Sequence, residues 1–134
     1  MERILLAVNG TLMRGLELNP NMLAAGATFV REDKTAACYR IFSIGDRHPA
    51  MLRTTTTGDG TRVALELWDV PADGLAKILV NEPPGLAVGK VVLDDGTVVL
   101  GVLGEPFLCE GQREITALGG WRAYIASRKS APTP

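Results

Sequence analysis

Imidazole and thiol are scarce in this chain. Its 134 residues hold one histidine, His48, and two cysteines, Cys38 and Cys109, far apart and outside any C-x-x-C spacing. Four-ligand zinc sites and Ser-His-Asp or Cys-His catalysis need imidazole as ligand or base, so that chemistry lacks its supply and no metal is expected. The thiols read as small, reduced hydrophobes, with a disulfide as the lesser alternative. His48, between Arg47 and Pro49, reads as an exposed loop residue; only the near-neutral titration of imidazole argues for a function.

Charge of one sign is lacking too. Fourteen Lys and Arg nearly balance fifteen Asp and Glu, and with aromatics at 5% no basic-aromatic stripe forms, so no nucleic-acid partner is expected. No apolar run approaches membrane-spanning length, and Glu2 stands where a secretory signal would be basic. A cytoplasmic chain with no membrane partner is expected. What is present is a chain 46% hydrophobic and 22% charged, enough to bury one core. One domain over residues 1–128 is expected, with a flexible tail at 129–134, where Ser130-Ala131-Pro132-Thr133-Pro134 has no apolar anchor.

Residues 4–8 form a continuous apolar run stopped by Asn9-Gly10, the pattern of a strand buried on both faces and central in its sheet. Asn19-Pro20 through Gly26 predicts a short helix, capped by Asn19, with Pro20 in its first turn and Gly26 at its end. Strands are expected at 27–31, 36–44 and 50–56, followed by a turn at 57–60. Val63, Leu65 and Leu67 alternate with Arg62, Ala64 and Glu66, which predicts a strand with one core face and Glu66 pointing away from it or into a cleft. Leu75, Ile78 and Leu79 stand at helical spacing with Asp73 in the first turn, predicting a helix over 71–80 that Asn81-Glu82-Pro83-Pro84-Gly85 ends. Strands at 87–93 and 97–103 flank Asp94-Asp95-Gly96, whose Asp-Gly pair supplies positive backbone angles for a tight hairpin. Residues 121–127 read as a terminal helix or an extended arm. This order is not regularly βαβ, so the fold class expected is α+β, a mixed β-barrel or curled sheet with a few short helices.

The strongest chemical feature is the first strand running straight into Asn9-Gly10-Thr11-Leu12-Met13-Arg14-Gly15. Glycines let backbone N–H groups turn toward an anion, which suits a carboxylate; the plainer reading is a strand-ending turn. Arg14, Arg40 and Arg113 are candidates to clamp a carboxylate with a guanidinium fork, against the default of surface ion pairs. Tyr39 and Trp121 line a pocket or, by default, fill the core.

The loop resembles the Y-G-T-L-x-x-G loop of the gamma-glutamylcyclotransferase-like families, with Asn9 in place of the tyrosine. A wider resemblance, over residues 4–128, is to the allophanate hydrolase C-terminal domain, which shares that fold. Gly15-Leu16-Glu17-Leu18-Asn19, Gly26-Ala27-Thr28-Phe29-Val30-Arg31 and above all Arg113-Glu114-Ile115-Thr116-Ala117-Leu118-Gly119-Gly120-Trp121-Arg122-Ala123-Tyr124 carry it. The resemblance implies a loop backbone that binds a substrate carboxylate and a downstream glutamate, Glu82 or Glu66, that moves a proton. Glu82, set among Val80, Pro83 and Pro84, is where desolvation raises a carboxyl pKa. It further implies a substrate such as N-carboxycarbamate and no cofactor. The family's loop commonly reads G-A-H-L-x-G, and Leu12 stands where the histidine is expected. The amidase half, with its glycine- and serine-rich signature and catalytic lysine, is not found here, so amidase activity is not expected of this chain. Three readings follow: an enzyme on a small carboxylate, an accessory subunit of a separately encoded amidase, and a gamma-glutamyl cyclotransferase. A homodimer stays open.

Overall fold

The computed structural model describes residues 3–55 and 58–130. Along them lie β1 (Arg3–Val8), α1 (Asn19–Ala24), β2 (Thr28–Lys34), β3 (Tyr39–Ile44), β4 (His48–Arg53), β5 (Ala64–Pro71), α2 (Ala72–Val80), β6 (Leu86–Val92), β7 (Val98–Gly104), α3 (Pro106–Cys109), β8 (Arg113–Glu114) and α4 (Trp121–Ser130). One sheet runs β2-β5-β1-β7-β6 and a second β4-β3-β8. The apolar run of β1 is central, as its composition requires: β5 flanks it antiparallel and β7 parallel. Leu6, Ala7 and Val8 are all but inaccessible.

The five-stranded sheet curls until its edges touch. Thr35, just past β2, bridges Leu93, just past β6, and Asp94 N–H donates to Lys34 O at 3.0 Å. The result is a curled sheet joined at one end and, among the described residues, not a closed barrel. The smaller sheet packs onto it closely: a Cβ on Gly104 of β7 would lie 2.6 Å from Ala50 Cβ of β4, so only glycine fits there. Tyr39, Ile41 and Met51 join Leu6, Val8, Leu65 and Val91 in one core. No helix among the described residues is long and apolar enough to cross a membrane.

Several local expectations are corrected. On β5 the side that the alternation marks as outer is covered beyond Ala64: Glu66 is 1% and Trp68 2% exposed, the loop after β1 and Arg122 of α4 reach Glu66, and Glu66 borders a cavity of about 280 Å³, the cleft alternative of the two expected. Asn19 is not the cap of α1. Leu18 holds that position, and Asn19 Nδ2 donates to Leu12 O at 2.9 Å instead. In the β6–β7 hairpin only Gly96 takes a positive φ, 89°, so a three-residue loop with a left-handed glycine replaces the tighter turn. Residues 121–127 are helical, and α4 continues to Ser130, past the expected boundary at 128. The rest of the expected tail and part of the expected 57–60 turn lie outside the described residues. α3, four residues long, had no periodicity to announce it.

Candidate functional site

β1 ends where the chain passes beneath Pro49. A Cβ on Gly10 would stand 2.6 Å from Pro49 Cδ and 2.7 Å from Cγ, so no other residue fits. The loop then folds back on its own carbonyls: Met13 N–H donates to Gly10 O at 3.0 Å and Leu18 N–H to Thr11 O at 2.9 Å. The amides of Gly10, Thr11 and Leu12 donate to no protein acceptor among the described residues. Successive free amides form a concavity of positive partial charge suited to an anion.

Beside these donors is a hollow of about 20 Å³, room for one water-sized group. Asn9, Gly10, Thr11, Leu12, His48, Pro49 and Glu82 border it. Asn9 serves as a strut: its Nδ2 donates to Val102 O at 2.9 Å, tying the end of β1 to β7. Glu82 arrives from α2, where Pro83 and Pro84 forbid further helix and turn the chain at the hollow's edge. Its carboxylate has no hydrogen-bond or ion-pair partner among the described residues. Burial therefore acts unopposed and pushes its pKa up to about 7. Thr11 and His48 also border an open cleft of about 1090 Å³, together with Glu17, Arg47, Asn81 and Pro83.

The other candidates lie elsewhere. Glu66 accepts from Arg14 N–H (2.9 Å), Arg14 Nε (3.1 Å), Trp68 Nε1 (3.1 Å) and Arg122 Nη2 (3.1 Å). Burial acts to raise its pKa, but these donors outweigh it and hold the carboxyl below its usual range. Arg14 is committed to Glu66 and Glu32 and lies 3.7 Å over the Phe29 ring. Arg40 makes a two-pronged pair with Glu114 at 2.8 and 2.7 Å, and that bond pulls the Glu114 carboxyl down to about 2. Arg113 is exposed on β8 opposite Ser43. Tyr39 is fully buried, its hydroxyl accepting from Val92 N–H at 3.0 Å, and Trp121 is buried against Tyr124. The structure thus brings five of the candidates to one hollow and leaves six outside it, Arg14 and Glu66 paired with each other. His48, read from the sequence as an exposed loop residue, is half-buried at the start of β4 and borders the same hollow; being the chain's single imidazole was its only signal.

The model of a family described as the allophanate hydrolase C-terminal domain matches residues 4–126. The urea amidolyase of Saccharomyces cerevisiae is 29% identical over 136 residues, covering 94% of this chain and 7% of that protein. The chain therefore spans a small part of the length of the curated relatives it matches. A solved protein described as specific to uropathogenic E. coli is 60% identical with a TM-score of 0.91, over 94% of this chain and 98% of that one. A mouse AIG2-like protein, 21% identical with a TM-score of 0.58 over 78% of each chain, shares the gamma-glutamylcyclotransferase-like fold alone.

Proposed function

Because this chain belongs to the allophanate hydrolase C-terminal domain family, we propose that it acts in urea and allophanate degradation, releasing carbon dioxide from N-carboxycarbamate. One observation carries the reading: Gly10, Thr11 and Leu12, whose backbone amides have no protein acceptor among the described residues, and Glu82, whose carboxyl has no partner among them, border the same hollow. One substrate carboxylate accepts from Gly10, Thr11 and Leu12, with the rest of the molecule reaching into the outer cleft. Protonated Glu82 gives its proton to the bridging nitrogen as the adjacent C–N bond breaks. The bonding pair stays on nitrogen, carbon dioxide leaves and carbamate remains. A second protonation on nitrogen releases ammonia and the second carbon dioxide. A carboxyl with a pKa of about 7 is divided between its acid and base forms at neutral pH, as proton transfer in both directions requires. Carbon dioxide release from freshly generated N-carboxycarbamate tests this: acceleration over buffer is expected, falling by about 10²-fold or more in Glu82→Gln. No acceleration by the wild-type chain overturns it.

A second reading, a binding subunit of a separately encoded amidase, is favoured by Leu12. Its side chain is 3% exposed and apolar where the resemblance expects a histidine. Co-elution with the amidase from the same source supports that reading, and a chain that stays alone in the mixture removes it.

A further inference from the structure

The inner hollow and the outer cleft share two border residues, Thr11 and His48. His48 is held in one orientation. Its Nδ1 lies 3.0 Å from Pro49 O, an atom that can only accept, so Nδ1 carries a hydrogen and Nε2 is the ring nitrogen left for proton exchange. Both sides of the ring's backbone are fixed. Pro49 is wedged against Gly10, and the preceding turn, with Gly45 at φ 59° and Asp46 at φ 60°, is pinned through Asp46. Ser43 Oγ and Tyr124 OH each donate to Asp46 Oδ1 at 2.6 Å, and Arg128 stands 3.5 Å from Oδ2. The charged groups bordering the same space are Glu82 in the hollow and Glu17, Asp46 and Arg47 in the cleft.

We propose that His48 is the proton shuttle of this site, taking a proton from the open cleft at Nε2 and returning it to Glu82 after each release of carbon dioxide. The proposal rests on the decarboxylation reading above. Each C–N cleavage moves one proton from Glu82 to nitrogen and leaves a carboxylate in a hollow sized for one small group. The hollow and the cleft meet at Thr11 and His48, and of the two imidazole is the group that takes up and releases a proton. The full chain carrying His48→Gln is expected to turn over N-carboxycarbamate about 10²-fold more slowly, with added imidazole restoring the rate. Its affinity for malonate, a stable dicarboxylate probe, is expected to stay within about threefold of wild type, because the amide donors are untouched. A variant as fast as wild type, or one slowed without rescue and with malonate binding lost, overturns the shuttle while leaving Glu82 in place. A wild-type chain that releases no carbon dioxide instead removes the reading beneath it. Should the variant not fold, nitrogen-15 spectra of the wild-type imidazole decide: Nε2 shifts on saturation with malonate while Nδ1 keeps its hydrogen, and an unmoved Nε2 contradicts the proposal.

Discussion

Glu82 binds its proton more tightly in the folded chain than in the unfolded one. Its pKa rises from an ordinary 4.5 to about 7 through burial, so the stability it contributes is complete below about 4.5 and lost as pH rises through about 7. Glu82→Gln cannot ionise and escapes that loss. Relative to wild type the variant should gain roughly 1–3 kcal/mol between about pH 4 and about pH 8, read from urea unfolding midpoints. An offset that is the same at both pH values would show that the carboxyl is solvated. The sequence brings Glu82 to the end of a helix and against two prolines, which is local information. It carries no measure of burial, because the hollow's other walls come from β1 and β4. His48 is obscured for the same reason: its neighbours Arg47 and Pro49 read as a loop, and its meaning comes from Gly10, which lies in a different strand's exit.

Glu66 joins three elements that the sequence separates widely. Its carboxylate receives the Arg14 amide 52 residues away and the Arg122 guanidinium 56 residues away, and Arg122 also donates to Arg14 O at 2.6 Å. β5, the loop after β1 and α4 are thereby clamped at one buried charge, and the backbone of the loop that carries the free amides is held from behind. Only Glu66 is buried in this group, and its loss leaves the Arg14 amide and Trp68 Nε1 without an acceptor while the half-exposed Arg14 and Arg122 side chains stay solvated, so Glu66→Ala should cost about 2–4 kcal/mol. Chemical denaturation at neutral pH measures it; a loss under about 1 kcal/mol would mean that the cluster is solvated like a surface pair. Because the Glu66 carboxyl is held below its usual range, its contribution is present above about pH 4.5 and lost as pH falls. Alternation along β5 was legible, but that its second face is also covered was not, since the cover is built from residues far along the chain. The β6–β7 hairpin and α2 were legible because each signal, a glycine turn or a helical apolar stripe, is complete within its own segment.

At the scale of the molecule, the curled sheet and the smaller sheet packed onto it bring the end of β1, the start of β4 and the end of α2 to one place. The irregular order of strands and helices excludes a doubly wound sheet, which is how the α+β class could be read in advance. The contact that closes the curl, Thr35 with Leu93, joins two unremarkable strand ends and had no sequence signature. The five candidate residues in the hollow are those a glycine loop and a helix terminus mark locally. The six outside it are residue types whose partners only the fold supplies: Arg40 finds Glu114, Arg14 finds Glu66, and Tyr39 and Trp121 find the core. The central claim is that the Gly10, Thr11 and Leu12 amides are a preformed receptor for a small carboxylate. Backbone amide NMR of the full chain, titrated with malonate and separately with neutral malonamide, tests it most directly. These three amide signals are expected to move together and saturably with malonate and to stay still with malonamide. Unmoved amides at these positions, or equal responses to both compounds, would contradict it.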